Sequence, residues 1–159
     1  MKLVVENKEK NKSFDIELTK NKDNSYYAVC FDENQKEVGY ITFKNLQNQN
    51  TVWLYRIYVD ENSRGNGVGT ALLYCLEAYC LENKKEGILA KFFPENEKTE
   101  SFYVKHNFDF KTEGLNVILS KPINKINKVI VLSSVQNFDE LNCENKQTFH
   151  KQNTAEPRF

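Results

Sequence analysis

Residues 64 to 69, Arg64-Gly65-Asn66-Gly67-Val68-Gly69, hold three glycines in alternate positions and form the only glycine-dense segment of the chain. Glycine lets the backbone turn so that successive N–H groups face one concavity. A helix beginning there adds the partial positive charge of its N-terminus. The natural guest of such a concavity is a phosphate or pyrophosphate. A glycine loop alone is weak evidence, because glycine-rich turns also simply cap helices. Here the context adds weight. The apolar run Thr51 to Asp60 precedes the loop, and Val68, Leu72, Cys75 or Leu76, and Tyr79 follow at helical spacing to about Asn83. Two familiar phosphate loops do not fit. A P-loop closes on Gly-Lys-Ser/Thr, whereas Thr70 follows Gly69 with no lysine between. A dinucleotide loop has glycines at other spacings and follows the first strand of a βαβ unit.

A second segment lies at a fixed distance beyond the loop: Asn96, Thr99, Phe102-Tyr103, Lys105 and Phe108. Together the two segments resemble the GCN5-related N-acetyltransferases (GNAT family). That family's Arg/Gln-x-x-Gly-x-Gly/Ala signature is matched by Arg64 to Gly69, and Leu54 to Asp60 looks like its bulged fourth strand. The second segment is similar to the family's Asn-x-x-Ala-x-x-Phe-Tyr-x-Lys-x-Gly-Phe. Thr99 stands at the small-residue position, and Asn107 replaces the usual glycine. Asparagine also tolerates left-handed backbone, so that departure is mild. The resemblance covers about residues 14 to 120.

The resemblance implies an acetyl-CoA-dependent acyltransferase acting on a primary amine, on a small molecule or a protein. It assigns the pyrophosphate to Arg64, Gly65, Asn66, Gly67, Val68, Gly69 and Thr70, mainly through backbone N–H groups. The pantetheine arm falls to the strand Ile57-Tyr58-Val59, with the Ile57 N–H near the thioester carbonyl, where charge develops. Tyr103 becomes the catalytic acid that protonates the departing thiolate, although a tyrosine there also packs naturally with Phe102 and Phe108. Asn96 bonds the cofactor arm or caps its helix. Relatives that carry a strand glutamate as general base have no counterpart in Thr51-Val52-Trp53-Leu54. Glu61, His106 and Tyr55 are weak candidates, His106 reading as an exposed helix-end residue, and a water chain or an already neutral amine needs no base. A rival reading, a non-catalytic acyl-CoA-binding regulatory module, would carry the same cofactor motifs.

These residues need a scaffold, and the chain supplies the signals for one. Phe14, Ile16 and Leu18 alternate with charged residues, Tyr26 to Phe31 and Val38 to Phe43 follow, and Asn/Asp-rich turns separate them, which predicts an antiparallel meander. Leu3 to Glu6 predicts a short edge strand. Thr51 to Asp60 is apolar at nearly every position, as expected of a strand covered on both faces. Ile88 to Phe93 predicts another strand, Asn96 or Lys98 to His106 a second helix, and Phe108 to Thr112 with Asn116 to Leu119 a hairpin turning at Glu113-Gly114. The fold class is therefore α/β of the α+β kind: a mixed, mostly antiparallel sheet flanked by helices. Only about Lys20 to Ser25 separates the first two strands, so the family's usual two helices between strands 1 and 2 are absent. Residues 1–121 are read as the acetyl-CoA-binding domain. Residues 122–159 are read as a C-terminal extension with one strand, Val129 to Leu132, before a polar tail.

Composition agrees with one soluble domain. The chain has 159 residues, 40% of them hydrophobic, and 22 basic residues balance 22 acidic ones. A balanced surface gives no reason to expect nucleic acid as a partner. The N-terminal Met1 to Glu6 is too short and charged for a secretory core, and no apolar run approaches a membrane span. A cytoplasmic protein is expected, with no membrane partner and a homodimer left open. The four cysteines, Cys30, Cys75, Cys80 and Cys143, form no C-x-x-C pair, and with only two histidines no metal site is expected. They read as free thiols.

Overall fold

The computed structural model describes residues 2–7, 10–47, 50–92, 97–113, 116–122 and 131–132. β-Branched and aromatic residues, broken by short Asn/Asp turns, fix five consecutive antiparallel strands: β1 (Lys2–Asn7), β2 (Lys12–Lys20), β3 (Ser25–Phe31), β4 (Glu37–Asn45) and β5 (Thr51–Val59). The β2–β3 and β3–β4 turns are made by side chains that bond nearby backbone. The Asp23 carboxylate accepts the Ser25 N–H at 3.0 Å, and Asp32 accepts the N–H groups of Asn34 and Lys36 at 2.8 and 3.0 Å. After a 3₁₀ turn at Glu61–Ser63 come α1 (Val68–Glu82), β6 (Gly87–Phe92), α2 (Glu97–Lys105), β7 (Asp109–Glu113), β8 (Asn116–Pro122) and the two-residue β9 (Val131–Leu132). The sheet order is β7-β8-β6-β5-β4-β3-β2-β1-β9, and only the β5–β6 pair is parallel. The expected meander, central strand, helices and hairpin are all present. Four residues, 21 to 24, join β2 to β3, with no helix between them. β1 lies one place in from the edge, because β9 pairs outside it.

Two irregularities in β5 shape the site. Thr42 pairs with Arg56 but Phe43 pairs with Leu54, so Tyr55 is an extra residue bulged out of the β4–β5 ladder. On the other edge, the parallel pairing with β6 stops at Leu54↔Ala90. From Tyr55 to Val59, β5 has no β6 partner, while β6 runs on to Phe92 against β8. The sheet is split there.

One face of the sheet packs on α1. Tyr26 and Phe43 stack 5.1 Å apart at 6°, and both meet Tyr79 of α1 at 4.8 and 5.1 Å. Ile16, Leu18, Ile41, Leu54 and Ile57 are buried beside them. The helix differs from the single apolar stripe that its spacing predicts. Leu73, Glu77 and Cys80 are buried as well, because β8 and α2 close over the far side of α1. Full burial of β5 on both faces is not observed. Val52, Leu54 and Ile57 are buried, whereas Trp53, Tyr55, Arg56 and Tyr58 are half-buried on the opposite face. Aromatic residues on an open face read as core in a hydropathy pattern, which explains the difference. There Tyr27, Val29 and Tyr40 form a second, smaller cluster joined by Phe31 and Tyr58.

Candidate functional site

The split leads to the glycine loop. Gly65 and Gly67 both take left-handed backbone, φ 82° and 87°, and Gly67 is the N-cap of α1 with no side-chain hydrogen bond to the helix. The first helical bond runs from the Ala71 N–H to the Gly67 carbonyl at 3.0 Å. The N–H groups of Val68, Gly69 and Thr70 are therefore left without an intrahelical acceptor, at the positive end of the helix. Opposite them stands α2, one turn of which presents Thr99 and Phe102. Between the two helices lies a cleft of about 380 Å³, floored by Val59 and bordered by Lys10, Arg64, Lys98 and Lys105. Four cationic side chains and no carboxylate line it among the described residues. An anion with several phosphate charges fits that lining better than a neutral or cationic guest.

The sequence-derived site residues separate into groups. Arg64, Gly65, Gly67, Val68, Gly69, Thr70 and Val59 line the cleft. Arg64 is held by an Nε bond to the Val59 carbonyl at 3.1 Å, which ties the loop to the end of β5. Asn66 turns away. Its side-chain N–H donates to the Ser63 carbonyl at 3.1 Å, and its Oδ1 accepts from Lys12 Nζ at 2.8 Å. Ile57 is fully buried in the core, and the Tyr58 ring lies on the other face of the sheet, 5.4 Å from Tyr40. Their backbone still forms the unpaired edge of β5. Asn96 lies outside the described residues, as do Cys143 and His150.

Tyr103 lies on the inner face of α2, fully buried, with Phe102 at 5.5 Å and Phe108 at 5.0 Å, both edge-on. Burial pushes its phenol well above the usual range, so it stays protonated at neutral pH. Asn107 does what the usual glycine would do. At φ 65° it ends α2, its N–H bonding the Val104 carbonyl and the Phe108 N–H bonding that of Tyr103, each at 3.0 Å.

Sequence reasoning missed two buried polar groups around the helices. His106, expected at the surface, is only 3% exposed. Its Nε2 shares a hydrogen bond with Thr70 Oγ1 at 3.1 Å, joining the end of α2 to the first turn of α1. Burial first, then the charges of Lys121 and Lys105, draw its pKa down to about 4, so the ring is neutral. Further in, Lys121 of β8 donates to Glu77 of α1 at 2.5 Å, with both side chains fully buried. Burial raises the Glu77 carboxyl and the Lys121 ammonium pulls it back. The helical period exposed neither group, since Glu77 reads as a solvent-facing position and the partners are 44 residues apart. Cys30, Cys75 and Cys80 are buried free thiols, Cys75 pushed up to about 12 by burial, and thus unreactive. No cluster of metal-ligating side chains occurs among the described residues, and none of their helices is long and apolar enough to cross a membrane.

The profile of the "Acetyltransferase (GNAT) family" matches residues 4–108, the stretch that holds the meander, the split, the loop and α2. The chain belongs to this family. Solved structures agree on the fold. An acetyltransferase of the GNAT family from Staphylococcus aureus Mu50 aligns with TM-score 0.57 at 21% identity, over 63% of this chain and 68% of that one. The PaiA N-acetyltransferase of Thermoplasma acidophilum, in complex with coenzyme A, gives 0.57 at 22%, over 62% of this chain and 61% of that one. A Bacillus anthracis Ames protein assigned as a streptothricin acetyltransferase, in complex with acetyl-CoA, gives 0.54 at 23%, over 63% and 62%. The aligned region thus spans less than two thirds of the latter two chains. No curated protein sequence matches the chain. In this GNAT chain four residues join β2 to β3, as the short Lys20 to Ser25 spacing predicted, where the family usually has two helices.

Proposed function

We propose that this GNAT chain is an N-acetyltransferase that moves the acetyl group of acetyl-CoA onto a primary amine. The observation that carries the reading is the split between β5 and β6, opening onto a cationic cleft at the N-terminus of α1. The relatives solved with coenzyme A or acetyl-CoA support it. In this reading the N–H groups of Val68, Gly69 and Thr70 take the pyrophosphate, with Arg64, Lys10, Lys98 and Lys105 around the remaining phosphate charge. The free edge of β5 from Ile57 to Val59 pairs with the pantetheine amides as another strand would. Acetyl-CoA supplies an activated thioester. The amine nitrogen bonds to the acetyl carbon, the C–S bond breaks with its electron pair passing to sulfur, and one amine proton ends on that sulfur. Tyr103, protonated at neutral pH, gives the proton to sulfur and recovers one from the amine side.

A second reading, a non-catalytic acyl-CoA-binding regulatory module, is favoured by one observation. Tyr103 is packed between Phe102 and Phe108 and is not among the residues lining the cleft. Two measurements separate the readings. Thermal unfolding with acetyl-CoA, against desulfo- and dephospho-coenzyme A, should show stabilisation of about 2.7 kcal/mol at ~100 times the dissociation constant. Thiol release is then followed with and without a panel of amines. Transfer predicts amine-dependent release that Tyr103→Phe lowers by about 10²–10⁴ in kcat while the thermal shift persists. Binding without amine-dependent release supports the module, and no shift at millimolar acetyl-CoA sinks both readings.

A further inference from the structure

Across β5 from the coenzyme cleft lies a second cavity of about 380 Å³, on the sheet face opposite α1. Its walls are the rings of Tyr40 and Tyr58, 5.4 Å apart, and its mouth carries Glu37 and Asp60. The Arg56 guanidinium lies over both rings, 5.7 Å from one and 5.6 Å from the other. Its Nε is buried and donates to no acceptor among the described residues. Arg56 precedes Ile57 directly, and the bulge at Tyr55 sets it on this face, where the β6 pairing has already ended.

A buried donor without an acceptor is costly, and a guanidinium that lies over two rings in the lining of a cavity is placed to meet a planar oxyanion there. A carboxylate takes such a fork in bidentate fashion. The cation already on the ring faces also argues against a purely cationic guest, which would meet like charge. The carboxylates at the mouth favour an ammonium group on the same molecule and disfavour a phosphate dianion. The volume suits a small molecule rather than a protein surface.

We propose that this cavity is the acceptor subsite and that it takes a small amine bearing a carboxylate, of the α-amino-acid type, with Arg56 as its specificity-determining residue. The assignment of the ligand as acceptor rests on the transferase reading above. Carboxylate recognition by Arg56 does not. In the bound state the Arg56 fork holds the carboxylate, Tyr40 and Tyr58 keep that fork in place, and Asp60 and Glu37 draw the ammonium end inward.

Matched pairs that differ only by the carboxylate test this: L-lysine and cadaverine, L-arginine and agmatine, L-phenylalanine and phenethylamine. Binding to the full chain is measured by calorimetry, with and without saturating desulfo-coenzyme A, so that no turnover is needed. At least one amino acid should bind ten times more tightly than its decarboxylated partner. Arg56→Gln should abolish that preference. Arg56→Lys, which keeps the charge and the aliphatic stem but not the bidentate fork, should reduce it to about threefold, and it serves as the control should the glutamine variant lose its fold. Tighter or equal binding of the decarboxylated amine in every pair overturns the proposal, as does no binding by any member or a preference that survives Arg56→Gln. Coenzyme binding without carboxylate preference removes this subsite and leaves the transferase intact. Carboxylate preference without any coenzyme binding leaves the pocket and removes the transferase.

Discussion

Gly39 and Gly65 make a paired prediction, because the structure requires glycine at each for a different reason. A Cβ at Gly39 of β4 would stand 2.5 Å from the Tyr58 carbonyl oxygen, 3.0 Å from Val68 Cγ1 and 3.3 Å from Val59 Cα. Two of those neighbours are backbone atoms of the adjoining strand, so no rotamer change clears the space. Overpacking costs about 1–3 kcal/mol, and a clash with paired backbone belongs at the upper end. Gly39→Ala should therefore lose about 3 kcal/mol, or roughly 6–12 °C in Tm for a domain of this size. A Cβ at Gly65 meets nothing within 4 Å, but its φ of +82° is unfavourable for other L residues. Gly65→Ala should cost only the dihedral term, about 1 kcal/mol, and Gly65→Asn less, since asparagine tolerates that region. Urea unfolding of the three variants gives the order directly. Val68→Ala in the Gly39→Ala background should rescue little, since the Tyr58 carbonyl remains in the way. Because Gly39 lies under both the end of β5 and the start of α1, its alanine variant should also weaken acetyl-CoA binding, and Gly65→Ala should do so through the loop alone. A Gly39→Ala protein within about 0.5 kcal/mol of the parent would refute the close approach from which this reasoning starts.

The buried pair gives another test. Lys121→Met leaves the Glu77 charge uncompensated in the core and should cost about 3–5 kcal/mol in urea unfolding, while adding Glu77→Gln recovers most of it; a single variant as stable as the double variant contradicts the burial. His106 makes stability depend on pH. Its folded pKa is about 4 against an ordinary 6.5, so between those values the unfolded chain takes up the proton and stability falls as pH falls, by up to about 3 kcal/mol. The raised Glu77 carboxyl tilts the other way above its ordinary 4.5, so the measurement is the difference between the parent and His106→Gln across pH 4 to 7, and an unchanged slope rules the assignment out.

The parts legible in the sequence were those fixed by local chemistry. Strands β2 to β5 follow from β-branched and aromatic runs, with Asx turns at Asp23 and Asp32 dividing the first three. Gly65 and Gly67 follow from their own composition, and Asn107 from its tolerance of left-handed backbone, which the structure uses at φ 65°. The bulge in β5 was expected through the family resemblance and falls at Tyr55. What was not legible depends on residues far apart in the chain. Glu77 becomes buried only because Lys121 arrives from 44 residues away, and His106 only because Thr70 stands across from it. The second face of β5 misled because aromatic side chains there look the same in a hydropathy pattern whether core or open surface covers them.

The cleft and the opposite cavity respond differently to substitution. The cleft proposed for the coenzyme is built from backbone, namely two left-handed glycines, a helix start and an unpaired strand edge, with cationic side chains at its border. Substitution of side chains there shifts affinity without abolishing the concavity. The opposite cavity is built from side chains, Arg56 on Tyr40 and Tyr58 with Glu37 and Asp60, on a face that no described helix covers. A single exchange at Arg56 should abolish the carboxylate preference of that cavity and leave the strand, the split and the loop in place, because its neighbours Tyr55 and Ile57 hold the bulge and the core contact independently. Acceptor specificity in this chain should accordingly be separable from coenzyme binding by single substitutions on one face of β5.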